Sequence, residues 1–205
     1  FKNAGNHVYT VNLFTSNESF PANCVTHYVS SDYQMFSDTL GEKLASKRDS
    51  VIRFLDDVQP EIFLPIERDY DIIHNEWNIT YFEDRHRNAW EGGGWKPDKP
   101  RRYWSNTLLK ALAIARYHGY EKVYFIGADT TYPQCIRTAP DNDLAMVESH
   151  ASISDRLTQG YPLSTNMSKY LALLSYWFWS YGYICDESFI NLDPLSLVDS
   201  AAKVD

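Results

Sequence analysis

Ser105–Tyr132, SNTLLKALAIARYHGYEKVYFIGADTTY, is the stretch that decides the fold. Ser105–His118 reads as a helix, because Leu108, Leu112 and Ala115 fall on one face and Gly119 stands where a left-handed residue closes it. Lys122–Gly127 (KVYFIG) follows at once as a buried strand and runs into Gly127-Ala128-Asp129. A helix that delivers the chain straight into an apolar strand is half of a crossover unit, the connection that parallel strands require.

The same alternation continues on both sides. Toward the amino terminus, Val8–Phe14 (VYTVNLF), Cys24–Ser30 (CVTHYVS), Glu61–Pro65 (EIFLP) and Asn78–Phe82 (NITYF) are strand candidates. A helical period starts at Ser37, with Leu40, Leu44, Val51 and Leu55 on one side, Ser37 or Asp38 as cap and Pro60 beyond its end. Tyr132–Gly160 reads as irregular. Met167–Tyr181 reads as a helix with Leu171, Leu174 and Phe178 at helical spacing, ending at Gly182 and passing into a strand at Tyr183–Asp186. Asp193-Pro194 opens a last helix with Leu195 and Val198. Helices alternating with strands predict a three-layer α/β domain with a mostly parallel sheet, without repeats, over residues 1–205. The chain opens on Phe1, so its amino terminus is expected to lie upstream, in a longer gene product.

Composition narrows the function. Of 205 residues, 44% are hydrophobic and 22% charged, the balance of a globular domain. The net charge of -8 disfavours a nucleic-acid partner. Three scattered cysteines, Cys24, Cys135 and Cys185, suit neither a disulfide framework nor a zinc cluster, and point to the cytoplasm. Tyr170 to Cys185 is the longest uncharged stretch and is too short for a bilayer span.

In open α/β sheets ligands bind beyond the carboxyl ends of the strands, which singles out Asn12, Ser31, Asp32 and Gly127 to Tyr132. Asn12 lies within an apolar strand, so its amide either ties down backbone or faces a ligand. Asp129 follows a strand and a glycine, where a carboxylate holds a ribose hydroxyl, a metal or a helix end. Ser105, Asn106 and Thr107 begin a helix, which makes them an anion site or an ordinary cap. Just before them, residues 83–104 form a long basic loop. Between residues 85 and 102, Arg85, Arg87, Lys96, Lys99, Arg101 and Arg102 face only Glu91 and Asp98, a local charge of +4 that suits an anionic ligand or acceptor. No histidine pair has metal-binding spacing, so no metal site is expected. His150, in the polar stretch Glu148–Ser152, is the best-placed general base. Neither a P-loop nor a nucleophile elbow occurs.

The segment Ser105–Tyr132 resembles bacterial sialyltransferases of glycosyltransferase family 42 and the related DUF115-type proteins of surface-polysaccharide gene clusters. The resemblance rests on the alanine-rich helix, the Gly119-Tyr120-Glu121-Lys122 turn and the strand ending in Gly127-Ala128-Asp129. Val11-Asn12-Leu13-Phe14 is similar to the family strand whose Asn contacts the nucleotide, and His27–Asp32 to the next strand end, which lines the donor pocket. Lys169–Leu197 resembles the carboxyl-terminal part. The Gly-x-Gly-Pro-Ser loop of the family is absent, and Pro162–Asn166 lacks the histidine that precedes the corresponding helix.

The resemblance implies a single Rossmann-like domain with a lid, a nucleotide-activated sugar donor, and no cofactor or metal. The expected function is a metal-independent transfer of a sialic acid-like or related sugar from a nucleotide-sugar, CMP-linked in the family, to a capsule, lipopolysaccharide or other surface glycan. His150 and Asp129 are the expected catalytic residues. Asn12, Ser31, Asp32, Ser105, Asn106, Thr107, Gly127 and Tyr132 are expected at the donor, and Arg85, Arg87, Arg101 and Arg102 at the anion or acceptor loop. The expected location is cytoplasmic, extending to peripheral association with the inner face of the membrane. Two alternatives keep the fold: a magnesium-dependent pyrophosphokinase using Asp129 with Asp141 or Asp143, and a non-catalytic nucleotide- or glycan-binding module.

Overall fold

The computed structural model describes residues 5–16, 21–38, 42–84, 106–128, 136–138, 144–146, 161–162, 167–194 and 196–203. They belong to two compact units, Phe1–Gly119 and Tyr120–Asp205. The fold is α/β, with two mainly structural sheets that are wholly parallel and one small antiparallel sheet.

In the first unit, β1 (Tyr9–Val11), β2 (His27–Val29), β3 (Glu61–Pro65) and β4 (Ile79–Phe82) lie side by side in chain order, all parallel. Helix α1 (Glu42–Val58) connects β2 to β3, and α2 (Thr107–His118) follows β4. The period of two along the strands sorts the side chains into two cores. Tyr28, Ile62 and Leu64 meet Val51, Phe54 and Leu55 of α1, together with Met35, Phe36 and Trp77. Val29, Phe63 and Phe82 point the other way, onto Ala111 and Ile114 of α2. The first unit is therefore three layers by itself. Complete burial of a side chain such as Leu55 or Phe36 contributes about 1.5–3 kcal/mol, which holds both helices down.

Local chemistry explains the element ends. Asn106 caps α2, accepting from the Leu108 N–H at 2.9 Å, and Gly119 closes it in the left-handed region at φ 72. The helix thus starts at Thr107 rather than Ser105. β1 is shorter than the apolar run that contains it, because Asn12 turns left-handed at φ 45 and starts a 3-10 turn over Asn12–Ser16. Asn12 therefore stands at the exit of the strand, not inside it. β2 also shortens, since Cys24 belongs to a 3-10 turn at Ala22–Cys24 that opens behind Pro21. The Ser37 hydroxyl and the Asp38 N–H both donate to Asp71, and residues 39–41, where the expected cap would meet α1, lie outside the described residues. Leu40 lies outside the described residues.

In the second unit, β5 (Val123–Phe125) pairs with β9 (Phe189–Asn191), and β9 with β10 (Ala202–Lys203), all parallel. Between them, β6 (Ile136–Thr138), β7 (Leu144–Met146) and β8 (Tyr161–Pro162) form an antiparallel trio where irregular chain was expected. Pro162 is tolerated because β8 is an edge strand. Helix α3 (Met167–Ile184) runs straight through Gly182, which is absent from the left-handed glycines, so the expected strand at Tyr183–Asp186 is replaced by the last helical turn. The strand forms later, at Phe189–Asn191. No helix forms over the described residues after Pro194; Ser196 N–H instead closes a turn on the Asp193 carbonyl at 3.2 Å. Among the described residues no helix is long and apolar enough to cross a membrane.

Candidate functional site

Three residues selected from sequence as donor contacts meet at the carboxyl edge of the first sheet. Asn12, at the exit of β1, donates from Nδ2 to Thr107 Oγ1 at 3.0 Å. Ser31, just past β2, shares a 2.6 Å hydrogen bond with the same Thr107 hydroxyl. Ser30 donates to Asn12 Oδ1 at 3.2 Å, and the Tyr28 hydroxyl donates to the Asn12 carbonyl at 3.1 Å. The amide of Asn12 is thus held from both ends, and its left-handed backbone is braced by a buried tyrosine.

Thr107 is the first residue of α2 and is nearly buried. The amino end of the helix carries a partial positive charge, so an amide and two hydroxyls gathered there suit a phosphate or a polyhydroxylated group. The amide and hydroxyls are uncharged at neutral pH, a chemistry suited to hydrogen-bonding and orienting a ligand and not to moving a proton. Asp32 is the neighbouring carboxylate, and its carbonyl receives the Met35 N–H at 3.1 Å. Asn106 serves as the cap, with its Oδ1 committed to Leu108.

A buried ion pair lies along the same edge. Lys110, one turn into α2, contacts Asp84, two residues past β4, with side chains 3% and 8% exposed. Burial pushes Lys110 down and Asp84 up, and the opposite charge of each partner works against the shift of the other. The Asp84 N–H also donates to Glu67 at 2.9 Å. The pair joins the residue where the chain leaves the sheet to the helix where it returns.

The amino edge has different chemistry. Tyr9, His27 and Glu61 stand opposite one another at the starts of β1, β2 and β3. Tyr9 stacks on His27 at 4.3 Å, and its hydroxyl meets His118 Nδ1, in the last turn of α2, at 2.7 Å. Burial lowers His27 to about 4, against the raising effect of Glu61. Its 3.5 Å approach to Glu61 is therefore made by a neutral imidazole near pH 7 and is no true ion pair.

Gly127 belongs to the second unit, where it is left-handed at φ 82, a conformation that favours glycine. Behind it, the Ser196 hydroxyl donates to the Ala128 carbonyl and the Leu192 N–H to the Phe125 carbonyl at 2.8 Å. Asn191, fully buried at the end of β9, accepts the Asp193 N–H, and its Nδ2 has no partner among the described residues. His150, Asp129, Ser105, Tyr132, Arg85, Arg87, Arg101, Arg102, Asp141 and Asp143 lie outside the described residues.

Sequence reasoning missed Lys110 and Asp84, and took in Ser30 only as part of the His27–Asp32 strand end. Ser30 had a signal, as a hydroxyl ending an apolar strand beside the selected Ser31. Lys110 had a weaker one, as a charge set between Leu109 and Ala111 in the apolar run Leu108–Ala115. Asp84 had none. The chain matches no family model, no curated protein and no solved structure.

Proposed function

We propose that this chain is a metal-independent glycosyltransferase that takes a sialic acid-like or related sugar from a nucleotide-activated donor and passes it to a surface glycan. The observation that supports this reading most is the Thr107 hydroxyl bonded to both the Asn12 amide and Ser31, at the amino end of α2. Residues chosen from two distant stretches, as nucleoside contacts and as a phosphate-binding helix start, converge on one atom at the edge where α/β folds bind ligands.

In this reading Asn12, Ser31 and Asp32 hold the nucleoside, and the start of α2 with Tyr132 and an arginine of the 85–102 segment holds the phosphate. His150 takes the proton of the acceptor hydroxyl as its oxygen attacks the anomeric carbon. The bond to the phosphate breaks, and the nucleotide leaves with the electron pair. Asp129 is the second catalytic candidate. Acid–base assistance of this kind contributes about 10²–10⁴-fold in rate.

A thermal-shift panel of nucleotides and nucleotide sugars, run with EDTA and with magnesium, tests the reading. Stabilisation by a sugar nucleotide that is unchanged by EDTA is expected, with turnover lost in His150→Ala. Strict dependence on magnesium, with a response to ATP or a pterin and none to sugar nucleotides, would replace the proposal with phosphoryl transfer. Binding without turnover in a full-length protein would replace it with a binding module.

A further inference from the structure

No further inference is drawn: the strongest candidate, the exposed apolar patch on the parallel sheet of the second unit, where Tyr124 of β5 stands open with Ile126 and Leu192 at the strand exits, carries nothing because nothing among the described residues shows what covers it.

Discussion

The two edges of the four-stranded sheet meet opposite ends of one helix, and they are built from different chemistry. At the carboxyl edge the amino terminus of α2 gathers Asn12, Ser31 and Thr107, groups that hydrogen-bond without titrating. At the amino edge its carboxyl terminus brings His118 onto Tyr9, beside His27 and Glu61. The first edge can recognise a ligand with little dependence of its own groups on pH. The second makes the stability of the unit depend on pH and offers no comparable cradle. The one charge pair held out of water among the described residues of that edge is Lys110 with Asp84.

That pair gives the largest expected effect. Lys110→Met leaves the Asp84 carboxyl buried without its partner, which should cost about 3–5 kcal/mol. The double variant Lys110→Met, Asp84→Leu should recover most of the loss, because replacing both charges by apolar groups is often neutral or better. Urea unfolding of the three proteins checks this. A single variant as stable as the parent would mean that the carboxyl edge does not depend on the pair.

His27 gives the next effect and belongs to the amino edge. Its folded value of about 4 lies below its ordinary 6.5. Above pH 6.5 the imidazole is neutral in both states and its contribution is complete. As the pH falls from 6.5 to 4 the unfolded chain takes up the proton first, so stability is lost across that window, by up to about 3 kcal/mol. His27→Gln should flatten the profile of urea midpoint against pH. Ligand affinity at the carboxyl edge should not follow the same curve. If it does, the two edges are coupled and the contrast between them fails.

How much of this was legible in sequence depended on the range of the interaction. The α2–β5 unit could be read because its signals are local: the cap at Asn106, the apolar face and the closing Gly119 all act within a few residues. Gly182 looked the same on paper and behaves differently. A glycine ends a helix by turning left-handed, and Gly182 stays helical, its added Cβ meeting Ser200 Cβ only at an ordinary 3.8 Å. The sequence marked Asn12 as unusual and Thr107 as a helix start, yet nothing local joins residues 95 positions apart. The buried state of Lys110 was equally out of reach, since a single lysine on a helix face reads as solvated until the sheet that covers it is known. The short strands of the second unit, three residues or fewer, carry too little period to separate from loop.

Asn12 tests the smallest difference, and two substitutions separate its two roles. Its φ of 45 is left-handed, a region that costs a residue with a Cβ about 1–2 kcal/mol and that asparagine and glycine enter most readily. Its amide is a separate matter, spent on Thr107 and Ser30. Asn12→Gly removes the amide and keeps the backbone; Asn12→Ala removes the amide and strains the backbone. If the amide serves the ligand, both variants should lose about 1–3 kcal/mol of affinity for the donor nucleotide, measured by calorimetry. Alanine should then be less stable than glycine by about 1 kcal/mol in urea. Both variants binding as the parent does would leave Asn12 as a strut between the exit of β1 and the start of α2. The recognition at this edge would then have to come from Ser31, Asp32 and the helix terminus, with Thr107→Val the next substitution to make.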